Sequence, residues 1–301
     1  MTTQSTPQQS KPALPTWARI ILFIIAFLIL TTIFQIVGLL LAGIPLSEAG
    51  NLASGGAGVL LVLQLWSLVP LVFLVYIFRK YLDRKSIVSL GFSLKNRGAD
   101  FGVGLLIAVL LIGGGSLLLQ ILGAVEFSVL KVDFGALAIS FLLFIVVALN
   151  EEIMIRGYVL NNLMSSANKY LALVISAVIF TAMHGLNSSL GWIALTNLFL
   201  AGILLGSAYI FTKNLWFPVS LHLFWNFFQG PVLGYHVSGQ QIESLFSIKL
   251  SGNEMLNGGG FGFEGSLVCT IMSVVVIGGI FFYYLRKAES FDSVQDNKVK
   301  N

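Results

Sequence analysis

Long apolar segments separated by short polar stretches dominate this chain of 301 residues. Spans of about 20 apolar residues can cross the ~30 Å hydrocarbon core of a bilayer as α-helices. In runs this apolar, periodicity does not distinguish a buried helix from a strand, but their length favours helix. The pattern predicts an all-α, polytopic integral membrane bundle of about eight transmembrane helices. These segments lie at 17–43, 58–78, 101–124, 134–162, 170–187, 192–211, 215–230 and 266–285.

The composition agrees with a membrane protein and excludes an ordinary soluble domain. Hydrophobic residues make up 56% of the chain and charged residues only 10%, whereas soluble domains carry roughly 25% charged residues. The single cysteine, Cys269, cannot form an intrachain disulfide.

The basic residues predict the orientation of the bundle. Fourteen of the seventeen Lys and Arg residues fall in termini and loops that an even number of crossings places on one side. Only Lys131 and Lys249 fall on the other side. Because basic loops are retained in the cytoplasm, both termini are predicted to be cytoplasmic. The basic cluster at 79–97 then acts as an orientation signal and a contact for anionic lipid headgroups, and no nucleic-acid partner is predicted.

Three charged residues, Glu151, Glu152 and Arg156, lie inside the fourth apolar segment. A charge at that depth costs at least ~2.5–3.5 kcal/mol, so such residues are functional candidates. Glu152 and Arg156 have the i, i+4 spacing of a favourable ion pair. Glu151 is left over as a candidate general base. The structural alternative is a packing ion pair with Glu151 facing a wet crevice.

Two histidines and an asparagine also interrupt apolar segments. Asn226 follows His222 by one helical turn, so both project from one face, and His184 lies in the fifth segment. At 1.5 Å per residue, Glu151, His184 and His222 lie about 16, 21 and 10 Å from the predicted cytoplasmic ends of their helices. We therefore predict that the three meet in one layer inside the membrane, somewhat toward the cytoplasm.

Three spaced motifs contain these residues: EExxxR at 151–156, FxxxH at 180–184 and HxxxN at 222–226. In this order on successive helices, they resemble the CPBP family of CAAX proteases and bacteriocin-processing enzymes, also called the Abi family. Its eukaryotic relatives include the Rce1-type CAAX prenyl proteases. The resemblance covers about residues 135–230, and the first three helices match in character only.

The resemblance implies an intramembrane endopeptidase that acts on a membrane-associated peptide or protein, in a bacterial plasma membrane. Prenylated CAAX proteins, peptide pheromone or bacteriocin precursors and regulatory membrane proteins are all compatible substrates. The resemblance implies that Glu151 activates the water and that the Glu152–Arg156 ion pair supports it. His184, His222 and Asn226 would bind the water and stabilise the tetrahedral intermediate. Phe180 would shape the pocket.

Two chemistries fit these residues, and the sequence leaves both open. In one, Glu151, His184 and His222 form a His₂Glu set for Zn²⁺, with water in the open position. In the other, no metal takes part, Glu151 deprotonates the water, and His222 with Asn226 stabilises the oxyanion. The His-Glu-x-x-His pattern of soluble zinc proteases is absent, and we favour the metal-free chemistry.

Two further functions compete with proteolysis. One is a non-catalytic membrane scaffold or immunity protein that keeps the polar residues as a structural relic. The other is a proton- or ion-coupled transporter. The transporter is less favoured because the polar groups gather in one layer instead of spanning the bilayer, and no broken helices in matching halves are visible.

The predicted organisation has four parts. A disordered cytoplasmic tail covers 1–16, helices one to three cover 17–125, a CPBP-like catalytic core of helices four to eight covers 134–287, and a second cytoplasmic tail covers 288–301. Within the core, the long glycine-rich stretch 231–265 is predicted to be an unstructured link. Pro218, one turn before His222, is predicted to kink the seventh helix.

Overall fold

The computed structural model describes residues 12, 14–47, 55–95, 97–130 and 132–300, with side chains as far as Ser290. Most of the predicted tail 1–16, and also Lys131, lie outside these residues.

The described residues form eight membrane-directed helices, which confirms the all-α polytopic architecture. Six of them are long and apolar enough to cross a bilayer by length and composition. The other two, α5 and α7, are shorter: His184 directly follows α5, and α7 contains His222 and Asn226. The helices are α1 (Thr16–Leu41), α2 (Gly56–Leu82), α3 (Gly98–Ile121), α4 (Phe134–Leu163), α5 (Lys169–Met183), α6 (Trp192–Thr212), α7 (Trp216–Phe227, extended by the π-helical turn Phe228–Val232) and α8 (Leu267–Lys300).

Helix α8 is longer than the predicted eighth segment. Its apolar part covers Leu267–Ser290, and the backbone stays helical as far as Lys300. The region 288–301, predicted as a tail, therefore begins as a continuation of this helix.

Pro218 does not interrupt α7. The helix begins at Trp216, so the proline lies in its first turn. Backbone N–H groups in the first turn have no intrahelical acceptor. Proline, which has no N–H group, is therefore tolerated there. The predicted kink therefore has no basis in the structure.

Helices α3 and α7 approach each other closely at Gly104. A Cβ atom on Gly104 would lie 2.8 Å from both the Leu221 amide nitrogen and the Phe217 carbonyl oxygen. The Ser220 hydroxyl donates a 2.6 Å hydrogen bond to the Phe101 carbonyl. Because α7 carries His222 and Asn226, this contact holds one wall of the predicted site.

We expect Gly104→Ala to destabilise the protein by about 1–3 kcal/mol, because the added methyl group has no space between the two backbones. Gly102→Ala is the matched control, since among the described residues no atom lies within 4 Å of its Cβ position. Thermal unfolding of both variants in detergent measures the difference. Equal midpoints for the two would contradict the close packing.

A buried ion network ties the first two helices to α4. Arg19 and Arg79 both pair with Asp83, and all three side chains are buried. The Asn162 amide on α4 donates a 3.1 Å hydrogen bond to Asp83 Oδ2. Burial lowers the pKa of Lys85, and the charge of Arg79 lowers it further. Arg79 therefore stabilises the fold from inside, and the prediction that all of the cluster at 79–97 meets lipid headgroups fails for this residue.

At the opposite end of the bundle, the loop between α3 and α4 pairs with the stretch between α7 and α8. Strand β1 (Val125–Val129) lies antiparallel to β2 (Phe246–Leu250), with Val125 opposite Leu250 and Val129 opposite Phe246. This pairing gives the end of the bundle a two-stranded cap.

The stretch 231–265 is folded, so the prediction of an unstructured link is wrong. Besides β2 it contains a helical turn at Glu254–Asn257 and two 3₁₀ turns. Its glycines allow backbone to pack directly on backbone. At Gly262 (φ +97°), a Cβ atom would lie 1.9 Å from the His236 carbonyl oxygen, so only glycine fits there.

Candidate active site

The structure brings together the three residues that the depth argument placed in one layer. Glu151 Oε2 lies 3.7 Å from His184 Nε2 and 3.9 Å from His222 Nε2. The Glu151 side chain is 25% exposed, and its Oε2 atom has no hydrogen-bond partner among the described residues. This oxygen is therefore free to accept a proton from a bound molecule.

Glu152 connects the ion pair directly to His222. Its Oε1 atom accepts 2.8 Å hydrogen bonds from both Arg156 Nη1 and His222 Nδ1. Glu152 and Arg156 are fully buried. Helical spacing predicts the Glu152–Arg156 pair, but the bond to His222 arises only because α4 and α7 pack together. Glu152 therefore orients the imidazole as well as neutralising the arginine.

Arg156 is held on its other sides by α5 and α6. Its Nη2 atom donates a 3.1 Å hydrogen bond to the Gly202 carbonyl, and its guanidinium lies 4.6 Å from the centre of the Phe180 ring. It belongs to the π-helical stretch Ile153–Leu160, which directly follows the two glutamates. Such π-helical turns are frequent at functional sites.

His184 caps the C-terminus of α5. Its Nδ1 atom lies 2.8 Å from the Phe180 carbonyl oxygen, one of the carbonyls that a helix end leaves without an intrahelical donor. The FxxxH spacing therefore has a structural reason, and Phe180 orients the histidine through its backbone as well as shaping the pocket.

The two imidazoles have different partners and so are suited to different tasks. Nδ1 of His184 must donate to a neutral carbonyl, which leaves Nε2 of the neutral ring as an acceptor. Nδ1 of His222 donates to the Glu152 carboxylate, and a carboxylate in that position stabilises an imidazolium when one forms. His222 can then donate from Nε2 as well.

Asn226 lies one turn beyond His222 and is buried beside the same cavity. Within the described part of the chain its side-chain amide makes no hydrogen bond. It can therefore offer N–H donors to a bound carbonyl oxygen.

These residues line a cavity of about 280 Å³ between α2, α4, α5, α6, α7 and the stretch 231–265. The wall is mostly apolar, with leucines from α4 and α6 and phenylalanines from α4 and α5. None of the described residues that line it is a lysine or arginine. An apolar cavity with a few convergent polar groups is the usual form of a binding site.

Gln64 on α2 is a site residue that the motifs do not include. It lines the cavity, and its Oε1 atom accepts a 2.8 Å hydrogen bond from Asn150, the residue before Glu151. The available signal was a glutamine inside the second apolar segment. Gln64 links α2 to the site.

Glu264 is a second residue that sequence reasoning did not single out. This buried carboxylate lines the cavity. It accepts hydrogen bonds from Trp225 Nε1 at 3.1 Å, from the Ser238 amide at 3.0 Å and from the Ser238 hydroxyl at 2.9 Å. The Ser238 carbonyl in turn accepts from Asn187, three residues after His184. Glu264 therefore joins the segments that carry His184 and His222.

We expect Glu264→Gln to lower catalytic activity roughly 10- to 100-fold. The NH₂ group of the new glutamine would face the donors of Trp225 and Ser238 and displace them. A small displacement of reacting groups has an effect of that order. The expected loss is in kcat, with the protein still folded. Glu254→Gln, an exposed glutamate in the same stretch, is the matched control. Steady-state kinetics of both variants measure the effect, and equal rates would exclude a positioning role for Glu264.

The predicted zinc ligands Glu151, His184 and His222 lie farther apart than a tetrahedral zinc site requires. Tetrahedral zinc with bonds of ~2.1 Å separates neighbouring ligand atoms by about 3.4 Å, and the Glu151–histidine separations of 3.7 and 3.9 Å are longer. No group of three or more His, Cys, Asp or Glu residues in the described chain has an arrangement that holds a metal ion. As arranged, the three residues do not fit the ion.

Part of the chain matches a known family. Residues 133–228 match the family described as type II CAAX prenyl endopeptidase Rce1-like. No curated protein sequence matches the chain. The matched segment contains all three motifs, whereas Gln64 and Glu264 lie outside it. The predicted resemblance is therefore confirmed for the segment α4–α7 of this integral membrane chain, which matches the Rce1-like family of type II CAAX prenyl endopeptidases.

Proposed function

We propose that the protein is an intramembrane endopeptidase in which Glu151 activates a water molecule. The family supports a CAAX-type intramembrane endopeptidase in general. The observation that carries the finer proposal is the unpartnered Glu151 Oε2 atom, which faces two imidazole nitrogens in a cavity inside the membrane bundle. Such an arrangement suits a water held between a base and a hydrogen-bond acceptor.

The first step is attack on the scissile carbonyl. Water donates one O–H to Glu151 and the other to Nε2 of His184. Glu151 removes a proton while the water oxygen bonds to the carbonyl carbon. The carbonyl oxygen becomes an oxyanion, which accepts hydrogen bonds from Asn226 and from protonated His222. Preorganised donors aimed at developing charge are usually the largest catalytic contribution.

The second step breaks the peptide bond. Glu151, now a carboxylic acid, gives its proton to the leaving nitrogen, and the carbon–nitrogen bond breaks as the oxyanion collapses. One new amine and one new carboxyl group result. Throughout, Glu152 and Arg156 keep the imidazole of His222 in place.

The proposed setting is the plasma membrane of a bacterium, with both termini in the cytoplasm. The excess of basic residues at one end of the bundle supports this orientation. The substrate belongs to the class of membrane-associated peptides or proteins.

Peptide N-termini in membranes test this function. Cells that express the wild type should contain new N-termini that are missing from cells with Glu151→Gln at the same protein level. Identical sets would overturn the proposed function and favour a scaffold. Flux of ions or solute in liposomes that requires Glu151, without cleavage, would favour a transporter.

A further inference from the structure

The cavity around Glu151 is closed at one end and open at the other. At its inner end it is lined by buried residues, among them Leu204, Leu221 and His222. At the other end it is lined by Met183, which is 39% exposed, and by Gln240, which is also exposed. The cavity therefore reaches the surface of the protein between the end of α5 and the stretch 237–242.

This opening, the mouth of the cavity, lies at the end of the bundle that β1 and β2 cap. On α2, which begins at that end, the lining residues Leu60 and Gln64 lie in the first half of the helix. None of the described lining residues belongs to 79–97, 161–170 or 212–216, the segments that form the other end. The site therefore has no opening there among the described residues.

The distribution of charge indicates the side of the membrane on which the mouth lies. Among the residues whose side chains the structure describes, the end without an opening carries eleven Lys and Arg residues: Arg19, Arg79, Lys80, Arg84, Lys85, Lys95, Arg97, Lys169, Lys213, Arg286 and Lys287. Of the described basic residues, the loops at the mouth contribute only Lys249, which pairs with Glu126 across the two strands. Because basic loops stay in the cytoplasm, the mouth faces the non-cytoplasmic side. The distances along the helices predicted a site somewhat toward the cytoplasm. Such distances give the depth of a residue but not the direction in which a cavity opens.

We infer that the site is open to the non-cytoplasmic side, and that its substrate is a membrane-anchored polypeptide whose scissile bond lies on that side of the bilayer. The inference about the substrate rests on the proposed peptidase function. The position of the mouth does not, so the two can be tested separately.

Single-cysteine labelling tests the mouth. Cys269 is the only cysteine and is buried, so the wild type serves as the unlabelled control. We expect Gln240→Cys to react with a membrane-impermeant maleimide in intact cells. Lys95→Cys, exposed at the opposite end, should react only after the membrane is permeabilised. Labelling of Gln240→Cys only after permeabilisation, or of both variants from the same side, would overturn the inference.

Mapping the cleaved bonds tests the substrate. New N-termini that depend on Glu151 should lie on the non-cytoplasmic flank of their membrane anchors. A cytoplasmic position would overturn the inference while leaving the peptidase function standing. If no such N-termini exist, the peptidase function fails and the inferred substrate fails with it, whatever the labelling shows about the mouth.

Discussion

Glu151→Gln should leave the protein folded and inserted while lowering the rate of peptide cleavage by at least about 100-fold, the usual scale of general base catalysis. Glutamine has nearly the same size and can still hydrogen-bond a water, but it cannot accept the proton. The Glu151 side chain is partly exposed to the cavity and makes no ion pair with lysine or arginine among the described residues. Its replacement therefore has little effect on stability.

The measurement is steady-state cleavage of a peptide by purified protein, with thermal unfolding recorded in parallel. Glu126→Gln, in an exposed pair with Lys249 on the strands, is the control and should cleave normally. Cleavage by Glu151→Gln at the wild-type rate would show that Glu151 is not the base. Loss of wild-type activity in a chelator, restored by Zn²⁺, would contradict the metal-free mechanism.

Arg156→Met should destabilise the folded protein by about 3–5 kcal/mol, the cost of leaving one member of a buried ion pair without its partner. Glu152 is 0% exposed and would keep only its hydrogen bond to His222. The substitution also removes the hydrogen bond to the Gly202 carbonyl and the contact with the Phe180 ring. We expect a lower yield of monodisperse protein and a lower unfolding temperature in detergent.

Two further variants separate charge from packing. Arg97→Met breaks a partly exposed pair with Asp100 and should cost less than about 1 kcal/mol. In Glu152→Leu/Arg156→Met, no buried charge is left unpaired, so stability should recover in part. Activity should not recover, since His222 has lost the acceptor at Nδ1. A double variant with normal activity would exclude the proposed role of Glu152 in orienting His222.

The architecture could be predicted well from sequence because the bilayer imposes a length on every helix. Each of the eight apolar segments is helical in the structure. The ends were less accurate where polarity is no guide: α5 ends at Met183, before the predicted end at 187, and α8 continues beyond 285. The meeting of Glu151, His184 and His222 could also be predicted, because polar side chains inside a membrane avoid lipid by facing one another.

Contacts between segments distant in sequence could not be predicted in this way. Glu264 looks like one glutamate in a glycine-rich loop until the chain folds back and brings it to Trp225 and Ser238. The stretch 231–265 looks like a link because its helical and strand pieces are short and its glycines pack backbone on backbone. Periodicity contains no signal for such packing.

The amino-acid sequence alone predicted a helical membrane protein, the charged residues that interrupt its apolar segments and the family that the core segment resembles. Hydrophobic length, the cost of buried charge and short motifs are properties of single segments, and each can be read along the chain. Three features became visible only in the folded chain: Glu152 holds His222, Gln64 and Glu264 border the site, and the cavity opens toward the paired strands. Those features depend on how α2, α4, α5, α7 and the stretch 231–265 pack against one another, and packing is a relation between segments that no single segment encodes.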